Sequence, residues 1–120
     1  MSYPDNLIRA GFHDTSLVGA SQNGSTIILN IEFYTDDDVK SSANVIISGV
    51  EHIEYDGVQL LQFKMGADHG SIVTLEREGK DVVLLLDWVD FSAKTRTTCS
   101  YRLTGSKLGL LTDAIATGSI

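Results

Sequence analysis

Ser25-Thr26-Ile27-Ile28-Leu29-Asn30-Ile31-Glu32-Phe33-Tyr34 is the stretch that decides the fold class. Ile27, Leu29, Ile31 and Phe33 fall on one side of an extended chain, with Ile28, Asn30, Glu32 and Tyr34 on the other. Successive strand side chains point to opposite faces, so this period of two marks a half-buried strand of an antiparallel sheet. Just before it, Asn23-Gly24 readily takes positive φ in a tight turn, which makes residues 15–21 the other arm of a hairpin.

The same pattern recurs downstream. Residues 43–50 carry Val45 and Ile47 on one face, residues 51–55 are too few to separate a strand end from a helical turn, and Asp56-Gly57 signals another turn. Residues 58–65 then align Leu61, Phe63 and Met65, and 71–78 return as a strand. Glu78-Gly79-Lys80 closes a hairpin onto 81–91, where Val82, Leu84, Leu86 and Trp88 share one face and Val83 and Leu85 the other. A strand apolar on both sides reads as central and covered by a second layer. Residues 95–103 alternate again, with Cys99, Tyr101 and Leu103 inward.

About seven strands with no long helix between them predict an all-β fold, an antiparallel β-sandwich or small barrel. The expected core is Ile27, Leu29, Ile31, Val45, Ile47, Phe63, Leu84, Leu86 and Trp88. Pro4, Leu7 and Ile8 suit a short N-terminal helical turn. Leu108, Leu110, Leu111 and Ile115 lie near helical spacing, so 107–120 reads as a C-terminal helix or a mobile tail, weakened as a helix by Gly109 and Gly118. No internal repeat or linker divides the 120 residues, which suit one domain with its own core.

Nine basic against sixteen acidic side chains give a net charge of −7. That sign repels phosphate backbones and argues against nucleic acid and anionic membranes as partners, while favouring association with a basic protein. A single cysteine, Cys99, excludes an intramolecular disulfide and a thiolate zinc site and suits a reducing compartment. Met1-Ser2-Tyr3-Pro4-Asp5 does not read as a signal peptide, and no apolar run approaches the roughly 20 residues of a membrane span. A soluble, cytoplasmic protein is the expectation.

Catalytic chemistry finds no pattern. The triple carboxylate Asp36-Asp37-Asp38 lacks the alternate acids, central Gly and distant Glu of a calcium loop. His13, His52 and His69 each neighbour a carboxylate (Asp14, Glu51, Asp68) but lie apart, with no H-x-H or H-E-x-x-H to place two on one face. G-x-S-x-G, G-x-G-x-x-G and P-loop motifs are absent, and Cys99 on an alternating strand reads as a buried, inert thiol. Asp87 and Asp90 fall on opposite faces of a strand, poorly placed to cooperate as a glycosidase pair. Trp88, Tyr34, Phe63, Phe91 and Tyr101 suit core packing first and a pocket or interface second. No enzyme, cofactor or metal is expected.

Phe12-His13-Asp14 before the first strand, Ser48-Gly49-Val50-Glu51-His52-Ile53 in mid-chain and Leu86-Asp87-Trp88 on a late strand resemble small bacterial toxin-immunity proteins of contact-dependent or polymorphic toxin systems. The resemblance implies a cytoplasmic, non-enzymatic inhibitor that binds a cognate toxin domain, often a nuclease with a basic active site. Its partner-binding candidates are Asp36, Asp37 and Asp38, then Glu54 and Asp56, then Asp87, Trp88 and Asp90. The alternatives are a β-rich small-ligand-binding protein and, behind it, a hydrolase assembled only in the fold.

Overall fold

The computed structural model describes residues 15–34, 40–66, 69–90, 94–105 and 107–115. These form nine strands: β1 Thr15–Asn23, β2 Thr26–Tyr34, β3 Lys40–Ser48, β4 His52–Tyr55, β5 Val58–Leu60, β6 Gly70–Glu78, β7 Asp81–Asp90, β8 Thr95–Thr104 and β9 Gly109–Ile115. All pair antiparallel in a single sheet of order β5-β4-β8-β7-β6-β1-β2-β3-β9. The all-β antiparallel expectation holds, with two strands more than the sequence suggested and one continuous sheet, not closed into a barrel, in place of two separate layers.

Connectivity forces that sheet to double over. β3 and β4 stand six places apart in the strand order, which on a flat sheet is about 29 Å at the usual strand spacing. Only Gly49, Val50 and Glu51 join them, a link that reaches about 14 Å at most. The fold line lies at β1–β6, where only three residue pairs are in register, from Thr15↔Ile72 to Leu17↔Gly70. Each of these two strands also carries a bulge against its other neighbour, at Leu17/Gly19 and at Ile72/Thr74. Bulges bend a strand and sharpen its twist, so both sit where curvature is needed.

Doubling over turns one face inward. Leu17, Ile27, Leu29, Ile31, Val45, Ile47, Ile72, Leu75, Leu84, Leu86 and Leu103 are fully or almost fully buried there. The predicted core residues all face this side; Phe63 is the one only partly buried. β7 is fourth of nine, central as its two apolar faces indicated. Val83 and Leu85, however, are only half-buried among cross-strand neighbours such as Glu76, Arg102, Thr74 and Ser100, with no separate layer over them among the described residues.

Turn chemistry follows the sequence with one shift. Gly24-Ser25, not Asn23-Gly24, forms the first loop: Asn23 pairs with Thr26 and Gly24 alone has positive φ (60°), the pattern of a type II′ turn. Asp56-Gly57 has positive φ at both positions (48° and 86°), as a type I′ turn requires, so residues 52–60 form a hairpin.

Two expectations fail. Residues 109–115, given helical spacing above, are strand β9 on the edge of β3, from Ser48↔Gly109 to Ser42↔Ile115. The strand expected over 58–65 stops at Leu60, and Leu61 turns outward. The N-terminal helical turn at 4–10, Phe12-His13-Asp14 and Asp36-Asp37-Asp38 lie outside the described residues.

Candidate protein-contact edge

The β4–β5 hairpin and the segment after it build the most distinctive surface. β4 pairs with β8 as far as Tyr55↔Tyr101. Asp56 then extends the ladder by one rung: its N–H donates to the Ser100 carbonyl (2.8 Å) and its carboxylate accepts from the Ser100 N–H (2.7 Å). The carboxylate thus stands in for a backbone carbonyl and fixes the turn against β8.

Beyond Leu60 the chain crosses the open end of the folded sheet as a strap, residues 61–66, tied down from beneath. Phe63 stacks on Tyr101 (centroids 4.5 Å, planes 28° apart), and its N–H donates to Gln22 Oε1 at 2.7 Å. The Tyr101 hydroxyl donates to the Lys64 carbonyl. Tyr55 meets Tyr101 edge-on at 4.6 Å and accepts a hydrogen bond from Trp88 Nε1 at 3.0 Å. Gly66 passes so close to the Trp88 indole that a Cβ there would lie 2.5 Å from Nε1. Burial raises the Tyr101 hydroxyl well above the ordinary tyrosine value and does the same, less strongly, for Tyr55 and for the buried Cys99 thiol. All three stay protonated at neutral pH. The arrangement is a dry, uncharged platform.

On that platform Leu61 is 96% exposed and Val58 63% exposed. Two shallow depressions flank Leu61, one lined by Gln22, Ser25, Val50, Glu51 and Leu60, the other by Gln59, Gln62 and Lys64. Glu54 is exposed on the same hairpin, Glu51 is exposed in the link just before it, and Asp56 adds a third carboxylate at the hairpin's tip. The result is an apolar projection on a rigid base, flanked by negative charge.

The sequence-predicted residues divide. Glu54 and Asp56 are brought together at this edge. Asp87 lies on the same outer face, two strands away on β7, where its carboxylate accepts from Thr98 Oγ1 at 2.7 Å. Trp88 points the opposite way into the core and is 5% exposed, so it supports the platform from below. Asp90 pairs with Thr95 at the end of β7. Of the aromatics considered together, Phe63, Trp88 and Tyr101 do cluster, Tyr55 joins them unforeseen, Tyr34 is exposed, and Phe91 lies outside the described residues.

Sequence reasoning missed Leu61, which it placed inward beside Phe63. The available signal was Leu60-Leu61, where two apolar neighbours break the alternation. It also passed over the outer-face cluster in which Arg102 bridges Asp81 (2.5 Å) and Glu78 (3.6 Å). Thr104 and Arg102 hold the Asp81 carboxyl below the usual carboxylate value. Among the described residues no three His, Cys, Asp or Glu side chains converge to hold a metal ion. His52 is exposed at the start of β4, and His69 offers its carbonyl to the Val89 N–H. No family model, curated protein or solved structure matches this chain.

Proposed function

We propose that this chain is a non-enzymatic binding protein of the immunity type, which inhibits a basic, nuclease-like toxin domain by covering its active site. The observation that carries the reading is the β4–β5 edge: Leu61, almost wholly exposed, stands next to Glu51 on a shared depression, with Glu54 exposed on the adjoining strand. Interfaces draw most of their energy from a few anchored side chains, and large exposed apolar groups on a rigid base suit that role. The neighbouring carboxylates occupy positions where a nuclease would otherwise hold substrate phosphates, and the net charge of −7 speeds encounter with a basic surface.

Leu61 is the anchor, and Glu51 and Glu54 steer. Replacing Leu61 with Ala should cost about 2 kcal/mol of affinity, mostly through faster dissociation. The double change Glu51→Gln with Glu54→Gln should slow association and flatten its salt dependence. Asp56 belongs in neither set, because its carboxylate is committed to Ser100.

The test is to take any nuclease-type toxin domain found in the reading frame next to this chain's own, co-express the two, and follow with pull-down and a survival assay. Association at low salt and protection of toxin-expressing cells, both weakened by Leu61→Ala, are the expected results. No association at low salt, or full sensitivity of cells carrying the protein, refutes the proposal.

A further inference from the structure

Among the described residues the sheet has two free edges of different character. β5 is three residues long, a common way of making an edge a poor template. β9 is seven residues long, Gly109-Leu110-Leu111-Thr112-Asp113-Ala114-Ile115, with one charge, no lysine and no proline. Among the described residues it pairs only with β3, while Leu110 packs against the core. Apart from Asp113, the described residues show none of the usual devices that blunt an edge strand: β9 is neither short nor bulged, and it carries no proline or lysine.

Register shows what the edge is shaped for. Ile28 pairs with Ile46, and Ile46 with Leu111, so three apolar residues form one row across the outer face. The first two are half-buried, while Leu111, at the free edge, is 66% exposed. The row ends at its most exposed member.

We propose that β9 pairs antiparallel with β9 of a second copy of this chain, about a two-fold axis at Leu111. Only a two-fold places one strand against itself antiparallel, and with the axis at Leu111 this residue faces its own counterpart. The row then runs Ile28, Ile46, Leu111 and on through the same three residues of the second copy, and the exposed Leu111 pair becomes a cross-strand contact. Core faces stay on one side of the joined sheet because the axis is perpendicular to it. Assembly closes at two copies, since pairing consumes β9 in both and leaves only the short β5 edges. An interface of one strand pair buries less than the roughly 1,200 Å² of a stable complex, so the dimer forms at high protein concentration and dissociates on dilution. Each copy carries −7, so added salt strengthens the pairing by screening repulsion. Binding of a basic partner at the β4–β5 edge has the opposite salt dependence, which keeps the two proposals separable.

Two experiments on the full chain decide it. Sedimentation at rising concentration in low and high NaCl should show mass moving from 13.0 kDa towards twice that value, further in high salt, with the shift lost in Leu111→Lys. Leu111→Cys should then form a disulfide-linked dimer under diamide roughly tenfold faster than Val58→Cys, because directly opposed strand residues lie within disulfide reach. Both positions are exposed, so both variants fold, and the buried Cys99 contributes little background. A single 13.0 kDa species throughout, a Leu111→Lys variant that still dimerises, or equal cross-linking at the two positions overturns the proposal.

Discussion

Gly105→Ala should be among the most damaging single-methyl additions in this chain, and its cost can be worked from two crossing connections. Gly49-Val50-Glu51 leads from β3 to β4, while residues 105–108 lead from β8 to β9. β4 pairs with β8 and β3 with β9, so both links pass between the same two halves of the sheet and must cross. A Cβ on Gly105 would lie 1.9 Å from the Gly49 carbonyl oxygen, where real Cβ atoms essentially never come within 3.0 Å. Both partners are backbone, so no side chain can yield. Moving the links apart by more than an ångström breaks the bond from Glu51 N–H to the Thr104 carbonyl (2.8 Å) and strains that from Val50 N–H to the Ser25 carbonyl (2.9 Å). Each loss costs about 1–3 kcal/mol, so a total of about 3–5 kcal/mol is expected. That is a large share of the roughly 5–15 kcal/mol by which domains are stable.

Gly24→Ala is the control. Its φ of 60° makes any Cβ costly, yet no atom lies within 4 Å of the added methyl, so about 1–2 kcal/mol is expected. Urea unfolding of both variants, followed by the fluorescence of buried Trp88, the single tryptophan, gives the two values on one scale. If Gly105→Ala loses no more stability than Gly24→Ala, the links do not cross in contact and the account of how the sheet is held folded is wrong.

Tyr101→Phe keeps the stack on Phe63 but deletes the hydroxyl that holds the Lys64 carbonyl; about 1 kcal/mol of stability should go, and trypsin should cut after Lys64 faster than in the wild type. Asp81 has a lowered folded-state value, so its contribution is present above the ordinary carboxylate range and fades as pH falls through that lowered value; wild type and Asp81→Asn should therefore differ in urea midpoint at pH 7, begin to converge only below about pH 4, and meet once the pH lies under the lowered value. Cys99 is buried with a raised thiol value, so iodoacetamide at pH 8 should label it only when urea unfolds the protein; rapid labelling of the native state would show the Tyr55–Trp88–Tyr101 platform to be open.

The inward face was legible because it obeys one local rule. Period two assigns Ile27, Leu29, Ile31, Val45, Ile47, Leu84 and Leu86 correctly without any knowledge of which strands are neighbours. Features that depend on neighbours were not legible. Leu110 and Leu111 fit a helix as well as a strand, and only the unpaired edge of β3, supplied by a fold line far upstream in the chain at Leu17 and Ile72, settles residues 109–115 as β9. The same holds for the acidic residues. Asp56, Asp81 and Asp87 look alike in sequence, yet the order β4-β8-β7 gives them Ser100, Thr104 with Arg102, and Thr98 as partners, so each is partly spent on holding β8 in place. Glu54 sits on the same face but has Arg102 as its cross-strand neighbour, a residue drawn towards Asp81 and Glu78 instead. β8 therefore sorts the negative charge. Carboxylates whose neighbours on that strand can hydrogen-bond them become structural, Asp56 at the β4–β5 turn included, while Glu51 and Glu54 stay exposed at that edge. Net charge read from composition could suggest a basic partner; only the strand order shows which carboxylates hydrogen-bond to β8 and which are exposed at the surface.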